Sequence, residues 1–214
     1  MSHARSLQRI LIAFAMGLAG LLCWPAESHA QTVSGYATVV QGSVLGTSGS
    51  FADTGPLADS SDAREASLDT LSLPSLLSGE VLHAAAIGWP DQAYSEASLG
   101  SLAMTVAGNG IAADFIMARA LAVLGSPGTG TSGIDGLSIN GAPVAVSGAP
   151  NQVIPILGGR VILNEQQASA SGIVVNAVHV IVDGIADVVV ASATAGISSG
   201  GSTSPLPLPI PPLL

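Results

Sequence analysis

The stretch GIVVNAVHVIVDGIADVVVASATAGI, residues 172–197, decides the fold class. Two Val-rich runs are separated by Asp183–Gly184, a dipeptide that tolerates the positive φ of tight hairpins. Val and Ile favour strands, and each run is long enough for one strand. The stretch therefore predicts a β-hairpin. Its polar residues (Asn176 and His179 in the first run, Asp187 in the second) are either a site or parts of a core.

The same pattern of apolar runs between short turns continues back to Leu71. Strands are predicted at residues 78–89, 101–108, 110–125, 136–148, 159–166, 172–182 and 186–197. In the Ala-rich segment 110–125 a helix is the alternative, but Phe115, Met117 and Arg119 begin a period-2 series that favours a strand. We therefore predict an all-β fold, an antiparallel β-sandwich, with a β-solenoid as the alternative.

The N-terminus has the three parts of a secretory signal peptide. Arg5 and Arg9 give it a charged start, an apolar run follows from Ile10 to Trp24, and Ser28 and Ala30 are small residues that fit a cleavage site. We predict a helical signal peptide over residues 1–30, cleaved after Ala30, and no transmembrane segment after cleavage. An uncleaved anchor is the alternative, but the apolar run is short for a membrane span. The protein is therefore predicted to be exported by a Sec-type route and to be extracellular or at the cell surface.

The rest of the chain divides into three parts. Residues 31–70 are predicted to hold one short strand, within Ala37–Leu45, and then an exposed loop, Phe51–Asp69, with five acidic residues. Residues 71–198 form the β domain. Residues 199–214 form a tail whose five prolines exclude a helix or a central strand and favour an extended, disordered polyproline conformation. The tail contains no familiar attachment signal.

The composition excludes several kinds of site. The chain has no lysine, and its single cysteine, Cys23, lies in the predicted signal peptide, so a mature disulfide, a thiolate metal site and a lysine nucleophile are excluded. The formal net charge of −9 argues against nucleic acid, because phosphate binding needs a basic face. Neither a phosphate-binding G-x-x-x-x-G-K-[ST] loop nor an H-E-x-x-H motif occurs. We therefore predict no catalytic residue, no cofactor and no metal, and a non-enzymatic protein.

His179 is the residue on which a functional interpretation depends. On a regular strand it shares one face with Val175 and Ile181, while Asn176 and Val178 lie on the other. Both faces are apolar, so both are expected to be covered. We interpret His179 as a buried neutral imidazole bonded to one partner, with a metal or catalytic role and a surface position as the alternatives.

Asp187 and Glu165 are the candidate partners of His179. A two-residue loop, Asp183–Gly184, puts Asp187 on the face opposite His179, whereas a three-residue loop ending at Ile185 puts both on one face. The sequence leaves both loops open. Glu165 can reach His179 if their strands are neighbours. The three side chains would then form a polar network that either fixes strand register or serves as an acid–base or metal site. A weak calcium site in the acidic loop is a further, less favoured idea.

The C-terminal half resembles the choice-of-anchor P family of secreted bacterial proteins. The similarity rests on IDGLSINGAPVAVSGAPNQVIPI, RVILNEQ and the stretch at 172–197, which follow the family's GL-x-[VI]-NG, [LI]NEQ, VNALHV and ADVV[VI]AS blocks. It covers about Gly133–Ile197 and extends more loosely back to Leu71. Ala193 and Thr194 replace the AH that is common in the family. The resemblance implies an exported domain joined to varied C-terminal attachment signals, and it implies no activity.

We therefore expect an exported, non-catalytic structural or adhesive protein of the cell surface or extracellular matrix, with surface or matrix components as partners. The ligand and the oligomeric state stay open. The alternative hypothesis is a secreted enzyme or metal-binding protein with a site around Glu165 and His179.

Overall fold

The computed structural model describes residues 31–199 and shows thirteen strands there. The predicted signal peptide and the tail beyond Ser199 lie outside the described residues. The strands are β1 (Thr32–Val44), β2 (Thr47–Asp53), β3 (Ala63–Leu73), β4 (Leu77–Gly88), β5 (Gln92–Val106), β6 (Asn109–Val123), β7 (Thr129–Asp135), β8 (Ser138–Ile139), β9 (Ala142–Pro143), β10 (Gln152–Ile156), β11 (Gly159–Ser169), β12 (Gly172–Val182) and β13 (Ala186–Ser198).

The strands form two antiparallel sheets that pack face to face. Sheet A has the order β10-β11-β12-β13-β1-β2, and sheet B has the order β3-β4-β5-β6-β8-β9, with β7 also paired to β6. The predicted β-sandwich is confirmed. The solenoid alternative is wrong, because its coils would pair in parallel. Within residues 31–199, no helix has the length and apolarity needed to cross a membrane.

The predicted strands are confirmed in most of the chain, including β6, where a helix was the alternative. The strand predicted at residues 101–108 begins earlier, at Gln92, and β7 and β10 were not predicted. Two other predictions are wrong. The segment Phe51–Asp69 is not one loop, because β2 runs to Asp53 and β3 starts at Ala63; its polar residues reflect an edge strand with an exposed face. The segment 136–148 is not one strand, because only β8 and β9 pair there, around the turn at Asn140–Gly141.

The core lies between the two sheets and consists of aliphatic side chains. Its largest fully buried members are Leu82, Leu99, Ile111, Ile116 and Leu163. Burial of each such side chain stabilises the fold by about 1.5–3 kcal/mol. The sandwich therefore depends on Val, Ile, Leu and Ala packing.

One row of residues inverts the pleat of sheet A. In this row Asn164, Ala191 and Ala52 have φ values of +50°, +57° and +50°, a left-handed region that residues other than glycine seldom adopt. The row crosses β12 at Ala177, between Asn164 and Ala191. Ala177 and Val178 are neighbours in sequence, yet both are buried in the core. The core-facing positions of β12 therefore change here from odd to even numbers.

Sheet B carries an equivalent row. Val81, Ser101 and Gly136 lie in it with φ values of +51°, +51° and +65°. On β4 the buried positions are odd-numbered up to Gly79 and even-numbered from Leu82 onward, on either side of this row. Both layers of the sandwich thus exchange their inward and outward residues partway along the strands.

Candidate functional site

His179 lies on the outer face of sheet A. The inversion at Ala177 turns Val178 and Val180 into the core and leaves Asn176 and His179 together on the outside. The predicted faces of this strand are therefore wrong, because a regular strand would separate two residues that are three apart. Only one face of β12 is packed against the other sheet.

Three consecutive strands bring the polar residues together. Glu165 is on β11, His179 on β12 and Asp187 on β13. Val182 pairs with Ala186, which gives the turn after β12 three residues and settles the loop that the sequence left open. Asp187 consequently faces the same side as His179.

The His179 imidazole lies between two carboxylates. Its Nδ1 is 2.9 Å from Oε2 of Glu165, and its Nε2 is 2.9 Å from Oδ1 of Asp187. An ionised carboxylate can only accept hydrogen bonds, so both ring nitrogens donate when both acids are charged. The His179 and Glu165 side chains are 14% and 16% exposed, and Asp187 is 38% exposed. The geometry therefore fits an imidazolium shielded from water by its partners.

The pKa values agree with this charge state. Burial by itself lowers the pKa of His179, but hydrogen bonds to Asp187 and Glu165, together with their negative charges, raise it from 6.5 to about 9. Burial raises the pKa of Glu165, but hydrogen bonds from His179 and Asn176 outweigh it and hold this pKa below its usual range. The predicted single partner of His179 is wrong, because its two ring nitrogens contact two carboxylates, and its raised pKa favours the cationic form over the predicted neutral one.

Two further residues extend the contacts along the outer face. Asn176 Nδ2 donates to Oε2 of Glu165 over 2.6 Å, and Ser192 Oγ donates to Oδ1 of Asn176 over 2.8 Å. We call Glu165, Asn176, His179, Asp187 and Ser192 the outer-face network. The contact of Asn176 with Glu165 was not predicted from the sequence, and Ser192 was not identified. Both residues are aligned by the pleat inversion, which has no clear signal in the sequence.

The outer-face network can hold strands together, but it offers His179 little chemistry. A general base needs a free lone pair on the nitrogen that takes the proton, and a metal ligand needs one as well. Both nitrogens of His179 are engaged. Within residues 31–199, no group of three or more His, Cys, Asp and Glu side chains is placed to hold a metal ion.

The acidic loop uses its carboxylates locally. Asp59 Oδ1 accepts from the backbone N–H and hydroxyl of Ser61, each over 2.7 Å. Asp62 Oδ2 accepts from the backbone N–H of Ala58 and from Nε of Arg64, each over 2.7 Å. These bonds close the loop between β2 and β3 and give no support to a calcium site.

One motif that suggests catalysis escaped the sequence analysis. Residues 196–200 are GISSG, which matches the G-x-S-x-G spacing of a nucleophile elbow. Ser198 ends β13 and pairs with Thr32 of β1. An elbow needs a sharp turn from a strand into a helix with the serine at its tip, so a serine paired inside a sheet does not fit it.

Comparison with protein-family models, curated proteins and solved structures finds no match to this chain. The resemblance to the choice-of-anchor P family stays a prediction based on its sequence blocks.

Proposed function

We propose that this chain is an exported, non-catalytic structural or adhesive domain of the cell surface or extracellular matrix. The observation that carries the proposal is the engagement of both ring nitrogens of His179 by carboxylates. The residue that most resembled a catalytic or metal-binding group in the sequence is used instead as a cross-link between strands.

A cross-link of this kind suits a structural role. The outer-face network ties β11, β12 and β13 together across two strand boundaries. A shift of one residue in any of these strands would move its members to the opposite face. The network therefore favours one register in a sheet whose Val and Ala side chains would pack in several.

Export is supported by the predicted signal peptide and by the resemblance of the C-terminal half to a secreted family. The chain from Gln31 has no cysteine, so its sandwich must hold without disulfides. Its acidic character helps to keep a Val- and Ala-rich protein soluble outside the cell. Surface or matrix components are the expected partners.

A proton NMR titration of Gln31–Leu214 tests the non-catalytic part of the proposal. His83 and His179 are its two histidines, so the variant His83→Gln assigns both imidazole signals. We expect His179 to stay protonated at neutral pH, to titrate near pH 9, and to be unaffected by one equivalent of zinc or calcium. A zinc-dependent shift of its signals would favour the alternative hypothesis of a metal site around Glu165 and His179.

The adhesive part of the proposal needs a separate measurement. The same chain is applied to arrays of glycans, to matrix proteins and to bacterial cells, with heat-unfolded protein as the control. Saturable binding of the folded chain is the expected result. A chain that binds none of these surfaces would leave only the structural role.

A further inference from the structure

β2 is the least protected sheet edge within residues 31–199. Proteins block exposed edges with charged side chains or with proline, which offers no N–H. The blocking residues on three other edges are Arg64 and Glu65 on β3, Pro143 on β9 and Pro155 on β10. On β7 the side-chain amide of Gln166 donates to the carbonyl of Gly130 over 3.1 Å. In this range β2 pairs only with β1, and its segment Thr47–Phe51 has neither proline nor charge.

The turn before β2 determines which of its backbone groups are free. Leu45 and Gly46 form a two-residue turn with φ values of +50° and +79°, so Val44 and Thr47 make a hydrogen-bonded pair. Hydrogen-bonded pairs alternate along an antiparallel ladder. The N–H and C=O groups of Ser48 and Ser50 therefore point away from β1, to the free edge.

The free groups of β2 are complementary to those of a second β2. Ser48 and Ser50 lie on either side of Gly49. When two β2 strands run antiparallel with Gly49 opposite Gly49, each Ser48 faces the Ser50 of the other strand. Residues in such a pair exchange both of their N–H···O bonds, so this register satisfies every free backbone group of the two serines. The arrangement is twofold symmetric and closes after two copies.

The distribution of charge also allows a second copy at this edge. The chain has a formal net charge of −9, so two copies repel unless they meet where charge is absent. Residues 44–52 contain no charged side chain. Asp53, the nearest acid on the strand, would lie opposite Leu45 of the second copy. No like charges therefore face each other along the paired strands, where they would be destabilising.

An apolar cavity of about 400 Å³ lies beside the free edge, between the sheets. Val44, Phe51, Leu76 and Met104 contribute to its lining, in which the described residues place no charged side chain. The Phe51 ring lies 3.9 Å from the position that a Cβ on Gly49 would occupy. A pair of opposed glycines brings the Phe51 rings of two copies to one seam. Pairing would thus remove apolar surface from water beside both cavities.

We propose that two copies of this chain form a dimer by pairing their β2 strands antiparallel, about a twofold axis at Gly49. Ser48 of each copy exchanges hydrogen bonds with Ser50 of the other, in the manner of a strand added to a sheet. Sheet A then runs through the dimer from β10 of one copy to β10 of the other. Both outer edges of the joined sheet carry Pro155, which stops further growth.

Sedimentation velocity of Gln31–Leu214 over a range of concentrations tests the dimer. We expect monomer and dimer in exchange, with the dimer as the main species at about 100 μM. A chain that is mainly monomeric at this concentration would overturn the proposal. A natural chain that is monomeric but dimerises when shortened after Ser204 would assign the edge to its own tail, and would overturn it as well.

Two double substitutions on the exposed face of β2 form a matched pair. Ser48→Lys with Ser50→Lys sets like charges opposite each other, so association should weaken at least tenfold. Ser48→Lys with Ser50→Glu sets opposite charges against each other, so the dimer should persist. Net charge alone predicts the reverse, because the double-lysine variant is the less acidic of the two. Equal association of two variants with natural circular dichroism spectra would refute the pairing.

Hydrogen exchange of backbone amides locates the interface. As the concentration rises and the dimer forms, we expect the Ser48 and Ser50 amides to exchange at least tenfold more slowly. Val153, at the equivalent outward position of the hairpin β10–β11, is the internal control and should exchange at a constant rate. Dimer formation with no change at Ser48 and Ser50 would place the interface elsewhere and overturn the proposal.

Discussion

The charge on His179 makes the stability of the protein depend on pH in a range where few other side chains titrate. The pKa of His179 is about 9 in the folded protein and 6.5 in a model peptide. Protonation therefore favours the folded state. The stabilisation from this group is complete below pH 6.5 and is lost as the pH rises through 9.

The size of the effect follows from the two pKa values of His179. Between the unfolded pKa of 6.5 and the folded pKa of about 9, each pH unit lowers the free energy of unfolding by about 1.36 kcal/mol. This free energy should therefore fall by about 3 kcal/mol between pH 6 and pH 9.5. In His179→Gln this slope should disappear. At pH 6 this variant should be less stable than the natural chain by about 3 kcal/mol, because one carboxylate of the network is left unpaired.

Urea unfolding followed by far-UV circular dichroism, at half-unit steps from pH 6 to pH 9.5, measures both quantities. His83→Gln is the matched control. His83 contacts Glu65 at 3.2 Å with 42% and 68% of the two side chains exposed, so its loss should change stability by no more than about 0.5 kcal/mol. The reasoning is refuted if the natural chain and His179→Gln show the same pH dependence, or if the two histidine variants are equally destabilised.

Three further pairs of measurements use the same unfolding assay. Val81→Gly should stabilise the protein by about 1 kcal/mol, because Val81 has a φ of +51°, which glycine adopts without strain, and its side chain is 73% exposed. Its control, Val153→Gly on an ordinary edge strand, should destabilise the protein by about 1 kcal/mol. Gly42→Ala should lower the free energy of unfolding by about 2–3 kcal/mol, because the added Cβ would lie 2.3 Å from a carbonyl oxygen of β13. Gly49→Ala should leave that free energy unchanged or raise it by about 0.5 kcal/mol, because no atom lies closer than 3.9 Å to its added Cβ. Asn176→Asp should destabilise by about 2 kcal/mol at pH 7 and by less at pH 4, because it sets a second carboxylate 2.6 Å from the first. Matching signs within the valine or glycine pair, or an Asn176→Asp effect independent of pH, would contradict these arguments.

Much of the fold could be predicted because apolar runs and turn dipeptides are local signals. The strands β11 to β13 lie almost where the pattern placed them, and the Ala-rich β6 kept its period of two. Edge strands were harder to predict. β3 carries Arg64, Glu65 and Asp69, and an exposed strand of this composition has the same sequence character as a loop.

The candidate site was predicted in its members but not in its geometry. Glu165, His179 and Asp187 could be proposed as a group because their strands follow one another in the chain. Their faces could not be predicted, because the inversion depends on left-handed backbone at Asn164 and Ala191, and alanine there gives no local sign of it. The charge of His179 depends on carboxylates from the two neighbouring strands, so it could not be predicted from the sequence of β12 alone.

The place of β1 in sheet A has a consequence for when the protein can fold. Within residues 31–199, the first strand, β1, pairs along its length with the last, β13, so that Thr32 lies opposite Ser198. The middle of the sheet therefore joins the two ends of this range. Closing so long a loop is slow, and folding rates fall as contacts become more distant in sequence. A chain that is still emerging can pair β1 with β2, but the other edge of β1 has no partner until β13 appears. For a protein proposed to cross a membrane before it folds, this order of events leaves sheet A incomplete until β13 has crossed.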